Sequence, residues 1–202
     1  MRPPSSVLRA TAVVSWLGLA AIALLAPPIR PDITQWILDL STGFFLGEEA
    51  TAVALFYLMA VWPLVIAGLL RDELGARPVA AWPFVLASAA VGSFAVLPWL
   101  AITGDAGGSA PAGHVIGGRL WGIGIAMLGS SLLVLGGYHG DIIGGLASVR
   151  SEGFMHIMAA DFVALWGASI ALTRRRDPGN GWLWSLVPVA GVGVWMALRR
   201  RQ

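Results

Sequence analysis

Three ionisable side chains interrupt an apolar segment in the last third of the chain. The segment "EGFMHIMAADFVALWGASIAL", residues 152–172, carries Glu152, His156 and Asp161. Asp161 lies roughly 12 Å along the helix that this segment predicts, and a carboxyl group at that depth must be neutral, or be paired and hydrated among other helices. Either state is chemically useful, because a neutral acid can donate a proton and an imidazole can accept or relay one. Glu152 and His156 share a helix face, but Asp161 is turned by roughly 140° from His156, so the three need not form one site.

Each of these groups also has a structural interpretation. His156 can bond to a backbone carbonyl, and Glu152 can stabilise the start of its helix, where exposed amides favour a carboxylate. Asp161 is predicted to point into the bundle, because a carboxylate that faces hydrocarbon is costly. Its expected hydrogen-bond partners on other helices are Ser130, Ser131 and Tyr57.

The remaining polar candidates are Glu48, Glu49, Tyr57 and His139. Glu48 and Glu49 open the second predicted helix, where a helix-start role is the default interpretation. Tyr57 could line a cavity or simply pack, and His139 belongs to the glycine-rich turn "YHGDIIGG". The three histidines of the chain are too scattered to indicate a metal or haem site. We therefore predict no cofactor and leave a bound pigment or lipid open.

The composition is that of an integral membrane protein. Hydrophobic residues make up 57% of the 202 residues and charged residues 12%, and the mean hydropathy is +0.76. The chain has no cysteine, and all thirteen basic residues are arginine. These absences exclude thiolate chemistry as well as retinal and pyridoxal Schiff bases, which need a lysine. Arginines near chain and loop ends suit anionic membrane lipids, and we predict no nucleic-acid partner.

Apolar runs predict an all-α bundle of about six transmembrane helices in a single domain, residues 1–202. Each run approaches the ~20 residues that cross a bilayer core. The segment "DITQWILDLSTGFFLGEEA" is predicted to lie along the membrane interface as an amphipathic helix. No repeat of twenty to fifty residues is visible in the sequence. The predicted spans are 11–29, 50–70, 80–103, 117–137, 153–173 and 182–198.

Small residues and arginines make two further predictions. Gly118, Gly122, Ala126 and Ser130 form a stripe that should pack on another helix and place the fourth span at the bundle centre. With six spans and a cytoplasmic N-terminus, eight arginines lie inside and five outside, which favours that orientation weakly. The triplet 174–176 falls on the wrong side in this arrangement.

The stretch "FMHIMAADF" (Phe154 to Phe162) resembles the aromatic-x-His-x4-Asp-apolar signature of the plastid membrane family required for neoxanthin synthesis in the abscisic-acid pathway. "SLVPVAGVGVW" (Ser185 to Trp195) is similar to the terminal helix of that family. A set of uncharacterised cyanobacterial and chloroplast multispanning proteins looks closer still. The resemblance covers about the last fifty residues, and it implies a bacterial inner membrane or a photosynthetic membrane.

Three functions follow as alternatives. The first is a non-enzymatic subunit or assembly protein that associates with a pigment or isoprenoid, and with other membrane subunits. The second is an isomerase or cyclase of carotenoid-like isoprenoids. The resemblance implies His156 and Asp161 as family positions, and from their chemistry we infer Asp161 as the acid and His156 as the base or relay. This enzyme requires both side chains to face one cavity. The third is a small transporter, for which internal symmetry is expected.

Overall fold

The computed structural model describes residues 5–43, 49–75, 79–103, 116–177 and 179–199, and this part of the chain contains helices and no strand. Within these ranges four helices are long and apolar enough to cross a membrane. The helices are α1 (Ser5–Leu25), α2 (Ile33–Thr42), α3 (Ala50–Leu69), α4 (Trp82–Val91), α5 (Ser93–Thr103), α6 (Arg119–Val134, continued by a π-helical turn Leu135–His139), α7 (Ile142–Ser151), α8 (Gly153–Arg176), a 3-10 helix (Gly181–Leu186) and α9 (Ala190–Leu198).

The four long helices alternate in direction between two ends of the bundle. We call one the arginine end, because Arg176 pairs there with Asp72 just beyond α3. We call the other the carboxylate end, because Glu49 and Glu152 cap the starts of α3 and α8 there. Helices α3 and α8 run towards the arginine end, whereas α1 and α6 run away from it. The first and last described residues therefore lie at the same end.

Helices α4 and α5 form a hairpin that enters from the arginine end and returns to it. The amide of Trp82 donates to the carbonyl of Leu74 beyond α3, which places the start of α4 at that end. The carbonyl of Thr103, where α5 finishes, accepts from Arg9 near the start of α1. The turn at Gly92 lies beside the middle of α8, so each arm penetrates only about 15 Å. The prediction of a single span over 80–103 is not confirmed, because this run forms two short helices instead of one long helix.

The 3-10 helix and α9 form a second hairpin from the same end. Its start is held by a hydrogen bond of 3.2 Å from Trp195 Nε1 to the Asp177 carboxylate. At its tip the amide of Ala190 bonds the carbonyl of Pro188 at 2.6 Å, and Val189 between them has φ 59°. This is the rare γ-turn geometry, and Val189 is fully buried. The predicted span over 182–198 is therefore also two short arms.

The chain repeats one order of elements twice. A long helix leaves the arginine end, a ten-residue helix lies at the carboxylate end, a second long helix returns, and a hairpin follows. Helices α1 to α5 form the first half, and α6 to α9 with the 3-10 helix form the second. A trace survives in the sequence, where "AVWPLVIA" (60–67) and "ALWGASIA" (164–171) share alanine, tryptophan, isoleucine and alanine at matched positions. The two stretches begin 104 residues apart, which is longer than the roughly 20–50 residues of solenoid repeats.

Helix α3 forms the centre of the bundle, contrary to the prediction for α6. In the apolar stretch of each helix that could cross a membrane, 61% is buried inside the protein in α3 but only 22% in α6. The predicted small-residue contact is confirmed in part, because Gly122 and Ala126 lie against α9. Ser130 is exposed, and the contact continues at Gly129 instead. The opposite face of α6 presents large apolar side chains such as Leu120 to the exterior.

Candidate functional site

Asp161 is bound to the tip of the first hairpin. Its Oδ1 accepts the backbone amide of Ser93 at 2.7 Å and also the Ser93 hydroxyl. Ser93 is the first residue of α5, whose exposed amides attract a carboxylate. Gly92 has φ 57° and lies so close that a Cβ there would overlap the Asp161 carboxyl group. The tip therefore requires a residue without a side chain, and Asp161 from another helix replaces the missing cap.

The prediction that Asp161 points inwards and bonds another helix is confirmed, since its side chain is only 7% exposed. The predicted partners are wrong. Tyr57 donates instead to the carbonyl of Leu40 at 2.6 Å, and Ser130 and Ser131 are exposed on α6. The observed partner, Ser93, was not predicted, because it lies 68 residues earlier in the chain and within a run that was predicted to be one continuous span.

His156 binds a different part of the molecule. Its Nδ1 lies 2.9 Å from the carbonyl oxygen of Val149, so the side chain ties α7 to α8. Asp161 and His156 thus contact separate elements, in line with their different positions around the helix. The structure does not bring them to one polar site.

Glu49 and Glu152 have the helix-start role predicted for them. Glu49 accepts the amides of Thr51 and Ala52, each at 2.9 Å, and Glu152 accepts those of Phe154 and Met155 at 3.1 and 2.7 Å. Burial raises the pKa of Glu49, but these hydrogen bonds outweigh it and the pKa is lowered overall. Both carboxylates are engaged by backbone amides, which is a structural role.

The other polar candidates lie apart from Asp161. His139 is exposed at the end of the π-helical turn, with its ring 5.0 Å from that of Tyr138. Glu48, like Phe44 and Phe45 of the predicted interfacial segment, lies outside the described residues. Within the described ranges no three His, Cys, Asp or Glu side chains are grouped to hold a metal ion.

An ionic cluster that sequence reasoning missed closes the arginine end. Glu73 pairs with Arg175 and, at 2.5 Å, with Arg176, while Arg176 also pairs with Asp72 at 2.8 Å. Burial raises the pKa of Asp72, but Arg176 and Arg71 lower it further and the net shift is downwards. Burial, reinforced by repulsion from Arg176 and Arg71, lowers the pKa of Arg199. Arg175 and Arg176 therefore pair with the carboxylates that follow α3, a pairing that six full spans would not allow.

An apolar groove of about 390 Å³ lies between α1, α5 and α8, and we call it the α1–α5–α8 groove. Small residues dominate two of its walls, with Thr11, Ser15 and Gly18 on α1 and Ala164 and Gly167 on α8. Neither Asp161 nor His156 is among the residues that line it. The groove can accept an apolar group, and it offers no titratable side chain to react with one.

Comparisons with protein-family models, with curated proteins and with solved structures found no match for this chain.

Proposed function

We propose that this chain is a multi-pass membrane protein that acts as a non-enzymatic subunit or assembly protein and associates with an isoprenoid or pigment. The observation that carries the proposal is the Asp161 carboxylate, which is occupied by the amide and hydroxyl of Ser93. A group that holds a helix tip in place is suited to scaffolding, whereas a general acid needs access to its substrate. The bacterial inner or photosynthetic membrane is favoured by the sequence resemblance alone.

In this proposal α1, α3, α6 and α8 cross the bilayer, and the two hairpins are re-entrant. Exposed apolar side chains such as Leu24, Leu25 and Leu120, each more than 80% exposed, support contact with lipid. Re-entrant segments are tolerated where protein covers their polar backbone. Asp161 of α8 binds the tip of the first hairpin, and Gly129 of α6 packs against Val189 and Ala190 at the tip of the second. The proposed organisation replaces six crossings with four.

The distribution of arginine favours a cytoplasmic arginine end. Seven described arginines lie at that end and two, Arg30 and Arg150, at the carboxylate end. Cytoplasmic segments are enriched in arginine and lysine. The triplet 174–176 now lies on the favoured side, which removes the conflict that six spans produced. The seven are Arg9, Arg71, Arg119, Arg174, Arg175, Arg176 and Arg199.

The repeated halves favour a small transporter as the second candidate, since parallel repeats occur in transporter folds. The packing between the two halves argues against a transporter, because large side chains fill this contact near the middle of the bundle. Trp62 of α3 is fully buried, and its ring lies 5.8 Å from that of Phe162 on α8. A transport path along this contact would require the two rings to separate.

The test combines pigment analysis with substitution of Asp161. Purified protein is extracted with organic solvent, and the extract is examined by absorbance for a carotenoid, chlorophyll or quinone. Asp161→Asn keeps an acceptor for Ser93, so the variant should fold and retain pigment content and cellular function, and so should His156→Gln. If Asp161→Asn keeps its thermal stability but loses function, the carboxyl group acts as a proton donor and the scaffold proposal fails.

A further inference from the structure

The α1–α5–α8 groove is long. It extends along α1 from Leu8 to Ile22, which is roughly 21 Å at about 1.5 Å per residue. An extended hydrocarbon chain can lie along the whole of this length against the apolar side chains of α1, α5 and α8. The length exceeds the ~15 Å of one leaflet of the bilayer core.

The position in the second half that corresponds to the groove is filled by protein atoms. The repeated order of helices therefore does not by itself produce a groove. There α6, α9 and α3 take the places of α1, α5 and α8. A Cβ on Gly122 would lie 2.5 Å from the amide nitrogen of Ala197, and one on Gly68 would lie 2.8 Å from the side chain of Met196. In the groove, by contrast, a Cβ on Gly18 or on Gly167 would meet no atom within 4 Å. The two halves differ in packing at this position.

The end of the groove has the charge that an anionic head group requires. Arg9 adjoins Leu8 at the start of the groove, and Arg174 lies one helical turn beyond Ala171, which also lines it. Both arginines are exposed. Neither pairs with a carboxylate in the part of the chain that the structure describes. The Arg9 guanidinium donates to the carbonyl of Thr103, and that of Arg174 lies over the Trp182 ring at 5.5 Å. Each keeps further N–H donors that can form charge-assisted hydrogen bonds with a phosphate at this end.

We propose that the α1–α5–α8 groove binds one linear hydrocarbon chain, acyl or isoprenoid, of a lipid whose phosphate group lies against Arg9 and Arg174. The inference rests on the membrane embedding of the proposed function and names the ligand class for that function. The tail is recognised by shape and by burial of apolar surface, and the head by the two guanidinium groups.

The test measures lipid binding to the detergent-purified protein by native mass spectrometry. Three single-chain probes distinguish the ligand classes: oleoyl lysophosphatidic acid, geranylgeranyl monophosphate and uncharged monooleoylglycerol. We expect one molecule of either phosphate per chain, and at least roughly tenfold weaker binding of the uncharged probe. The stronger of the two phosphates identifies the acyl or isoprenoid class.

Three glycine substitutions form a matched set. Gly18→Leu and Gly167→Leu place a side chain in the groove without a collision at Cβ, whereas Gly124→Leu places one in equally open space on α6, away from it. Leucine favours helix more than glycine does, so all three variants should keep the fold. The first two should lose at least roughly tenfold in affinity for the phosphates, and Gly124→Leu should bind as the wild type does.

A double variant Arg9→Gln, Arg174→Gln should bind the two phosphates only as tightly as the uncharged probe. Equal binding by the groove-filling variants and the wild type would overturn the inference, and so would an equal loss in Gly124→Leu. Neither result bears on Asp161, so the scaffold proposal would stand or fall separately on its own substitution test.

Discussion

Glu49 accepts a hydrogen bond of 2.8 Å from the backbone amide of Asp141, which joins the start of α3 in the first half to the start of α7 in the second. The second half returns an equivalent bond. Glu152, at the start of α8, accepts the backbone amide of Arg30, which precedes α2, at 3.4 Å. Each carboxylate therefore caps its own helix and holds the short helix of the other half. The exchange pairs equivalent positions of the two halves reciprocally, as a closed two-fold interface does.

The first prediction concerns this clamp. Glu49→Ala removes acceptors for Thr51, Ala52 and Asp141 together, and loss of a helix cap typically costs about 0.5–2 kcal/mol. We expect a lower midpoint of thermal unfolding in detergent, and intrinsic fluorescence measures it. Asp39→Ala is the control, because Asp39 is half-buried at the same end and its side-chain bond, to Gln35, stays within α2. An unchanged midpoint for Glu49→Ala would show that the clamp is not stabilising.

The second prediction is a loss of stability in acid. The pKa values of Glu49 and Asp72 are lowered in the folded state. A group whose pKa is lowered by folding stabilises the folded state fully at any pH above its pKa in the unfolded state, which is about 4 for these groups. This stabilisation is lost as the pH falls through the pKa of the folded state. The thermal midpoint should be level from neutral pH to about 5 and fall below about 4. Glu49→Gln should show a shallower fall, and an identical pH profile would contradict the assignment to Glu49.

The third prediction concerns the tip of the first hairpin. Gly92→Ala introduces a Cβ where the Asp161 carboxyl group lies, at a positive φ that alanine rarely adopts. We expect a loss of about 1–3 kcal/mol in stability, measured by thermal unfolding. Gly124→Ala is the matched control, because its Cβ enters open space, and it should be neutral or stabilising. Equal behaviour of the two variants would mean that Asp161 does not pack on the tip.

The sequence predicted the parts of the fold that depend on local pattern. Four long helices, the inward position of Asp161 and the helix-start roles of Glu49 and Glu152 follow from hydropathy and from the cost of a buried charge. The two hairpins did not follow. A hydropathy profile counts apolar residues. It cannot detect a reversal of the chain direction at Gly92 or Val189, because the sequence on both sides of each turn is apolar. The partner of Asp161 depends on that reversal, which brings Ser93 to the middle of α8.

The last prediction distinguishes four crossings from six. The chain has no cysteine, so single cysteines can be placed at exposed positions and labelled from outside intact cells. Six spans with a cytoplasmic N-terminus would put Arg119→Cys and Asn180→Cys outside and Ser151→Cys inside. The two re-entrant hairpins reverse all three, because residues 119 and 180 then share the arginine end with Arg9, and residue 151 lies at the carboxylate end.

We expect an impermeant maleimide to label Ser151→Cys in intact cells and to label the other two only after the membrane is opened. Gln35→Cys, outside in both arrangements, is the positive control, and outside labelling of Arg119→Cys and Asn180→Cys would restore the six-span topology.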